Sequence, residues 1–440
     1  MSHDPPTPWS FIPFIVLLLA IAILPLIRPL ENFWGKNRNK LLLALVLGGA
    51  TMAYYLLAWG PGAALQVLHE AVLAEYAPFI ILLFALYTIS GGIHISGDIR
   101  ATPLANSAFL ALGAVLASFI GTTGASMLLI RPLLRTNQER KIKVHTVIFF
   151  IFIVSNIGGC LTPLGDPPLF LGYILGVPFW WTLKMFLPWI VANGALLAVY
   201  FIWDRWAYRR EGAQSLVLDA MMVRPLGVRG SLNFPLLCAV VACVALVDPN
   251  LEIPGTSFKP PPFLREGLLL VLSGLSWVGV PGNREIRFLN QFSFTAIAEV
   301  ACLFLGIFIC MQPPITFLHE RGAELGLKTP AAFFWASGGL SSFLDNAPTY
   351  VVFFQTAQSI GTQAGSAGRL IPRGDLLLAL SMGAVFMGAN TYIGNGPNFM
   401  VKTIAEHSGV KMPSFFGYMA YSGAILLPLF AILMFIFLWT

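Results

Sequence analysis

Charged residues are scarce in this chain. Asp, Glu, Lys and Arg make up 10% of its 440 residues, whereas hydrophobic residues make up 57%. Soluble globular domains carry about 25% charged residues, so this composition excludes an ordinary soluble fold. A mean hydropathy of +0.77 points the same way. The sequence therefore predicts an all-α polytopic membrane protein, with the lipid bilayer as its main partner.

Motifs of cofactor chemistry are also missing. The five cysteines lie in apolar segments without a Cys-x-x-Cys pair, and no Gly-Lys-Ser/Thr sequence follows a glycine-rich loop. Redox, zinc and nucleotide chemistry are therefore not expected, and the sequence predicts neither a cofactor nor an enzyme. The histidines are scattered, mostly at loop edges, where we expect surface or interface positions: His94, His145, His319 and His407.

Long apolar runs are what the sequence does contain. Two of them are interrupted by Gly, Pro, Asp and Asn, which predicts broken helices at 144–178 and 374–404. Two further runs, 105–131 and 330–354, carry Gly-Thr-Thr-Gly and Asp-Asn-Ala-Pro in their middles and are predicted to be re-entrant hairpins. Counting runs of spanning length predicts about ten passes, at residues 11–27, 41–59, 77–96, 144–178, 185–203, 232–248, 264–280, 291–311, 374–404 and 414–438.

The distribution of basic residues orients these passes. With both hairpins entering and leaving on one side, the loops on one side of the membrane carry most of the 26 lysines and arginines. That excess predicts the cytoplasmic side, in a bacterial-type plasma (inner) membrane, with both termini outside. The net charge of +6 is explained by this bias, so no nucleic-acid partner is expected.

The two halves of the chain repeat each other. A shift of 224 residues pairs Ser118 with Ser342, and a shift of 229 pairs Gly165 with Gly394. In the predicted topology the second half is inverted relative to the first, which is typical of secondary transporters. The expected organisation is an N-terminal helix and loop (1–40), a first repeat (41–203), a cytoplasmic loop (204–231) and a second repeat (232–440).

The paired motifs resemble those of a known superfamily. Residues 155–159 (Ser-Asn-Ile-Gly-Gly), 162–166 (Thr-Pro-Leu-Gly-Asp) and 344–348 (Leu-Asp-Asn-Ala-Pro) are similar to the ion transporter superfamily. Within it, the chain resembles NhaD-type sodium/proton antiporters and citrate transporters, with arsenite permeases further off. The resemblance covers roughly residues 40–430.

The resemblance implies a particular mechanism. It implies a scaffold domain, a mobile transport domain that moves like an elevator, and a homodimer formed through the scaffold. The dicarboxylate branch of the superfamily carries Ser-Asn-Thr at its hairpin tips, whereas this chain has Gly-Thr-Thr at 121–123 and Asp-Asn-Ala at 345–347. That departure weakens a simple transfer of carboxylate binding.

Two acids lie at the predicted breaks and tips. Asp166 precedes two prolines, which leave backbone carbonyls without helical partners, so a hard-oxygen site for Na⁺ or Li⁺ is expected there. The alternative is an Asp that only caps the restarted helix. Asp345 lies at the second hairpin tip, where it is either functional, as intramembrane acids usually are, or an N-cap. Because burial disfavours a bare carboxylate, a proton and Na⁺ can compete for the same oxygens.

Other polar residues cluster near these acids. Glu299 begins an apolar helix and is a candidate proton carrier beside Asp345 and Asp166, a partner of Lys402, or a helix-start carboxylate. Asn395 is the neutral counterpart of Asp166. The remaining candidates for cation binding supply neutral oxygens or amides: Thr122, Thr123, Ser155, Asn156, Thr162, Asn346, Asn390, Thr391 and Asn398.

Several functions are compatible with these features. The leading prediction is sodium(lithium)/proton antiport by alternating access, with the ions as transported or coupling species. The alternative is sodium- or proton-coupled transport of a citrate-like carboxylate or another anion, although the tips lack Arg, the residue best suited to carboxylates. An intramembrane aspartyl protease using Asp166 and Asp345 is a remote alternative, because Pro163 and Leu344 depart from the motifs it needs. A passive channel is a further alternative, but a channel needs no hairpins that close a site, whereas two hairpins are predicted here.

Overall fold

The computed structural model describes residues 6–248, 251–252 and 257–439. Helices dominate these residues, as the low charge and high hydropathy predict. The α-helices of the first half are α1 (Ile12–Ile23), α2 (Glu31–Trp34), α3 (Asn37–His69), α4 (Ala77–Ser90), α5 (Pro103–Ile120), α6 (Thr122–Thr136), α7 (Val144–Ile153), α8 (Pro167–Ile174), α9 (Phe186–Arg209) and α10 (Ala213–Met221).

The second half continues in the same way. Its α-helices are α11 (Asn233–Leu246), α12 (Leu264–Val278), α13 (Asn283–Leu289), α14 (Thr295–Cys310), α15 (Gln312–Arg321), α16 (Pro330–Ser341), α17 (Asn346–Ile360), α18 (Gly374–Met387), α19 (Gly396–His407) and α20 (Phe415–Phe437). A π-helix covers Glu70–Tyr76, and 3₁₀ turns occur at Pro8–Phe11, Leu24–Leu26, Arg28–Leu30, Ile157–Cys160, Phe179–Met185, Gly322–Leu325, Ser366–Gly368 and Gly388–Asn390.

These helices confirm a helical, polytopic membrane protein. Each of the ten predicted passes coincides with helix, and large apolar side chains cover the outer surface; Leu57 is 86% exposed and Val278 is 85% exposed. Among the described residues, four helices are long and apolar enough to cross a membrane, or up to six if each bent pair is one span. The predicted count of about ten and the elevator motion therefore stay predictions.

The predicted passes at 41–59 and 77–96 belong to one helical stretch. Residues 37–90 form a helical stretch of 54 residues, which at 1.5 Å per residue would span about 80 Å if it were straight. That length is more than twice the bilayer core, and the stretch is interrupted at Gly60, whose φ of 84° is not helical, immediately before Pro61. The pass predicted at 77–96 ends earlier than expected, because α4 stops at Ser90 and a strand begins at His94.

Two helix–turn–helix units lie at the predicted hairpins. The first consists of α5 and α6, joined by Gly121 alone, whose φ of 79° disfavours any residue with a side chain. The second consists of α16 and α17, joined by residues 342–345. Thr102 and Thr329 cap the first helix of each unit, because each hydroxyl accepts a hydrogen bond from the backbone three residues later. Their re-entry into the bilayer stays a prediction.

The two predicted broken helices occupy the centre of the molecule. α7 ends at Ile153 and α8 begins at Pro167, and α18 ends at Met387 and α19 begins at Gly396. Residues 147–154 and 376–387 are almost completely buried, since a helix that is apolar on every side must be enclosed by others. The hairpins pack around these helices, and their tips reach the breaks.

Short β-strands depart from the all-α expectation. Strands β1 (His94–Asp98) and β2 (Arg224–Arg229) pair antiparallel, as do β3 (Thr362–Ala364) and β4 (Leu370–Pro372). A periodicity search for apolar spans misses such strands, because they lie in polar connections. β2 belongs to the predicted cytoplasmic loop, so part of that loop is fixed against the connection that follows α4.

Candidate functional site

A single carboxylate joins the two hairpin tips and the two broken helices. Asp166 Oδ1 accepts hydrogen bonds from Thr122 Oγ1 at 2.9 Å and from Asn395 Nδ2 at 3.1 Å. Asp166 Oδ2 accepts one from Asn346 Nδ2 at 2.6 Å. Thr122 belongs to the first hairpin, Asn346 to the second and Asn395 to the second break. The side chain of Asp166 is 1% exposed, so these donors replace the water that it has lost.

The backbone directs this carboxylate away from its own helix. Asp166 is extended (φ −142°, ψ 141°) at the N-cap of α8, and its side chain makes no capping hydrogen bond. Pro167 and Pro168 follow in the first turn, where they bring no N–H group that a cap could satisfy. The interpretation of Asp166 as a cap alone is therefore wrong. Its carboxylate is free to bond to other elements, and it does.

Asparagines connect the two breaks behind Asp166. Asn156 Nδ2 donates to Asn398 Oδ1 at 2.7 Å, and Asn398 Nδ2 donates to the carbonyls of Gly388 and Thr391 at 2.8 and 2.9 Å. Asn395 Nδ2 also approaches Asn156 Oδ1 and the Ser155 carbonyl, both at 3.2 Å. The Ser155 hydroxyl lies 2.8 Å from that of Ser126 on α6. Neutral amides thus hold the breaks together.

The same hydrogen bond fixes each break to its hairpin. Thr162 Oγ1 donates to the carbonyl of Ser118, and Thr391 Oγ1 donates to the carbonyl of Ser342. These are the residues that the two sequence shifts relate. Close backbone approach also recurs: a side chain on Gly165 would collide with the carbonyl oxygen of Gly159. Thr162 and Thr391, both predicted to bind a cation, therefore contact their hairpins rather than Asp166.

Four helices begin at this site. The N-cap residues of α6, α8, α17 and α19 are Gly121, Asp166, Asp345 and Asn395. Each helix N-terminus carries a partial positive charge of about half a unit. Such ends favour negative groups, and two of the four N-caps are themselves acids. The helix ends and the acids therefore offset each other at the centre of the molecule.

Asp345 and Thr123 lie at the tips but outside the contacts of Asp166. Asp345 Oδ1 accepts a hydrogen bond from the backbone of Ala347 at 3.1 Å, so this acid caps α17. It is half-buried, as is Thr123. In the described part of the chain, Thr123 has no side-chain hydrogen bond to Asp166, unlike its neighbour Thr122. A carboxylate dyad of the protease type would need Asp166 and Asp345 to bond to each other, which the described contacts do not include.

Among the described residues, two buried amide oxygens of the second hairpin and the second break have no partner. Asn346 Oδ1 and Asn390 Oδ1 accept no hydrogen bond within the described residues. Asn346 donates to Asp166, and Asn390 Nδ2 donates to Ser342 Oγ at 2.9 Å. A buried oxygen without a donor is costly unless something else binds it. A carboxylate beside a free amide oxygen is the type of ligand that hard cations prefer; among described residues, no three His, Cys, Asp or Glu form a metal cluster.

Glu299 has a different partner from the one expected. Its Oε1 lies 2.6 Å from Nζ of Lys40, on α3, so the predicted pairing with Lys402 is wrong. Lys402 instead pairs with Glu406 at 2.9 Å, one turn further along α19. The packing of α3 on α14, which brings Lys40 to Glu299, is not visible in the sequence, whereas the Lys402–Glu406 spacing of four residues could have been recognised there.

A buried ionic cluster was missed. His145 Nε2 and Arg140 Nη2 contact Asp204 Oδ1 at 2.8 and 2.6 Å, and Glu211 accepts from the backbone of Ile142 at 2.8 Å. His145 is 4% exposed and Asp204 is fully buried, so the predicted surface position of His145 is wrong. The available signal was Asp204 itself, an acid near the end of an apolar span. This cluster fixes α9 to the beginning of α7.

A cavity of about 590 Å³ lies apart from the site. It opens between the π-helix, the beginning of α12 and the end of α8, and Glu75 and Arg369 contribute to its lining. Arg265 on α12 pairs with Glu266 at 2.6 Å and also approaches the Tyr173 hydroxyl on α8, at 3.4 Å. The Asp166 network contributes no residue to the lining.

Comparisons with known proteins agree on the class. Two curated relatives, both called uncharacterized transporters, come from Mycobacterium bovis and Mycobacterium tuberculosis. Each is 26% identical over 356 residues, which cover 77% of this chain and 78% of the relative. Together with the helical membrane fold, they indicate a secondary transporter rather than an enzyme. A family model described as "Putative citrate transport" matches residues 4–438, and the chain belongs to that family.

Proposed function

We propose that this transporter exchanges sodium or lithium ions for protons, with Asp166 as the group that both species occupy in turn. The supporting observation is the position of Asp166. It is a buried carboxylate whose hydrogen-bond donors are all neutral and come from both hairpin tips and the opposite break. No lysine, arginine or histidine bonds to it in the described structure.

The cost of a bare carboxylate would couple the two fluxes. An ionised carboxylate at membrane depth is expensive when nothing neutralises it, although three donors reduce that cost. Either a proton or a monovalent cation neutralises the same oxygens, and the two cannot bind them together. In the sodium-bound state, the unpartnered Asn346 Oδ1 would supply a further oxygen ligand. Movement of the empty, charged site would then be the slow step, which prevents leakage of either ion.

The hairpins would provide alternating access. Thr122 on the first hairpin tip and Asn346 on the second tip each donate a hydrogen bond to Asp166. Withdrawal of one tip would therefore break one of these contacts and leave the other in place. The site could in this way open to one side at a time. The elevator motion implied by the sequence resemblance would carry both hairpins and both broken helices together past the remaining helices.

Cation-coupled transport of a citrate-like carboxylate is the second candidate. The family description favours it, and so does the meeting of four helix N-termini, which can bind an anion. Against it, two of those N-caps are Asp166 and Asp345, and like charges repel a di- or tricarboxylate. A bound cation would have to neutralise them first. We therefore place this function second.

Proteoliposomes with an imposed pH gradient separate the two candidates. The purified protein is reconstituted, Na⁺, Li⁺, K⁺ or citrate is added, and a pH-sensitive dye follows the gradient. Antiport predicts that Na⁺ or Li⁺ alone dissipates the gradient, and that Asp166→Asn abolishes this while Thr123→Ala does not. If no monovalent cation dissipates the gradient and labelled citrate is taken up instead, antiport is wrong and carboxylate transport stands.

A further inference from the structure

A shallow groove lies at the end of α9 that is predicted to be cytoplasmic, and residues of α9 and its C-cap line it. Six residues form it: Phe201, Ile202, Arg205, Trp206, Arg209 and Arg210. The lining residues recur at intervals of four along the helix, so they form one stripe on its surface. The stripe is apolar toward the membrane and basic beyond it.

Among the described residues, no acid pairs with the arginines of this stripe. The neighbouring acids, Asp204 and Glu211, are buried and bind Arg140 on the other face of α9. Arg205, Arg209 and Arg210 are exposed, and within the described residues none of them forms an ion pair. The C-terminal end of α9 offsets only about half a unit of charge. Between two and three positive charges therefore remain on the groove.

One of these arginines is held in place by an aromatic ring. The Arg210 guanidinium lies 3.8 Å from the ring centroid of Trp206, a stacked cation–π contact. Stacking uses the face of the guanidinium and leaves its N–H edges available to a phosphate. Trp206 itself is 49% exposed, as expected of a tryptophan at the level of lipid headgroups. The groove is thus partly preorganised.

We propose that this groove binds an anionic phospholipid, with cardiolipin as the best-matched headgroup. Its two phosphates would contact Arg205, Arg209 and Arg210, and an acyl chain would lie along Phe201 and Ile202, the latter 69% exposed. Basic pockets beside membrane helices bind such headgroups by charge and apolar contact together. A zwitterionic headgroup matches the apolar part of the groove but not its charge.

Native mass spectrometry of the purified full-length chain tests this proposal. Tetraoleoyl cardiolipin, phosphatidylglycerol and phosphatidylcholine are titrated separately in detergent, and thermal unfolding is followed in parallel. We expect cardiolipin to bind best and phosphatidylcholine weakly. Substitution of all three groove arginines by Gln is expected to weaken cardiolipin binding about 100-fold. Each single change, Arg205→Gln or Arg209→Gln, is expected to weaken it about fivefold, which corresponds to about 1 kcal/mol.

A second triple variant provides the matched control. Arg38→Gln, Arg224→Gln and Arg284→Gln remove three exposed arginines from loops predicted on the same side, outside the groove. This control should bind cardiolipin like the wild type. Equal losses in both triple variants would mean unspecific charge attraction and would overturn the proposal. Equal binding of phosphatidylcholine, or equal thermal stabilisation by inorganic phosphate, would overturn it as well. If the groove triple variant unfolds, the two single variants carry the test.

Discussion

Asn346 Nδ2 lies 2.6 Å from Asp166 Oδ2, and this contact joins residues 180 positions apart. One partner lies on the second hairpin and the other on the first break, so the two halves of the chain meet on a single carboxylate. The residue that the sequence shift relates to Asp166 is Asn395, so the site is asymmetric although each half contributes a hairpin and a broken helix. With a single carboxylate at its centre, this site can be neutralised by one proton or one monovalent cation at a time.

Neighbouring threonines at the first hairpin tip should differ in their importance. Thr122→Ala removes the hydroxyl that orients buried Asp166 through a hydrogen bond of 2.9 Å and that supplies a further oxygen beside the proposed cation position. We expect cation affinity to fall by a factor of about ten, equivalent to about 1.4 kcal/mol. The measurement is the half-saturating Na⁺ or Li⁺ concentration in the pH-gradient assay.

Thr123→Ala is the control for that experiment. The residue belongs to the same helix turn, and its hydroxyl makes no bond to Asp166 among the described contacts. It should transport like the wild type. Equal defects in both threonine variants would show that the hairpin tip, rather than the hydrogen bond to Asp166, determines cation affinity.

The charge and the capping role of Asp345 can be separated. Asn caps a helix about as well as Asp, so Asp345→Asn removes only the charge, whereas Asp345→Ala also removes the bond to Ala347. We expect both variants to raise the half-saturating Na⁺ concentration several-fold, by about the same factor. Only the Ala variant should lose stability, by about 1 kcal/mol, measured as thermal unfolding. Wild-type transport by Asp345→Asn would restrict Asp345 to capping.

Glu299 should be dispensable for proton coupling. It is 41% exposed and bound to Lys40, whose side chain is 4% exposed. Glu299→Gln leaves Lys40 without its counter-ion, so we expect a loss of about 1 kcal/mol in stability with proton exchange retained. The double variant Lys40→Met, Glu299→Gln should recover part of that loss. Abolished exchange with normal folding would instead make Glu299 a proton carrier.

Asp98 should make stability depend on pH. Burial raises the pKa of this carboxyl above its ordinary 3.8, and nearby Glu139 adds to the effect. The folded protein then binds more protons than the unfolded chain between the two pKa values, so stability falls as pH rises through that interval. Asp98→Asn should therefore raise the unfolding temperature at pH 7.5. Below about pH 3.8 this gain should vanish, and a gain independent of pH would contradict the explanation.

The sequence predicted the elements of the site better than their contacts. The two breaks and the two hairpins could be located because Gly, Pro, Asp and Asn are conspicuous in apolar runs. Asp166 stood out for the same reason. Its bonds to Thr122 and Asn346 could not be predicted, because they depend on how hairpins fold back on breaks far away in the chain. Lys402 as a partner of Glu299 was wrong, because the packing of α3 on α14 that brings Lys40 to Glu299 is not visible in the sequence.

Hydropathy averages along the sequence could not predict the short strands or the buried ion pairs. β1 and β2 are polar segments, and Arg140 and Asp204 lie in stretches whose average is apolar or mixed. A window average removes such single residues. A sequence shift of 224 residues nevertheless related Ser118 to Ser342, and a shift of 229 related Thr162 to Thr391. In the structure each threonine donates to the carbonyl of the corresponding serine.

The pairing of β1 with β2 fixes the segment that connects the two halves of the chain to the first half. His94 is opposite Arg229 and Ser96 is opposite Gly227, so the end of the connecting segment is anchored to a loop of the first half. The connecting segment therefore restrains the first half through backbone hydrogen bonds and is more than a flexible link between the halves. The halves are additionally joined through Asn156 and Asn398. A nick between α10 and β2 would leave both joints intact, and the two pieces would remain one particle.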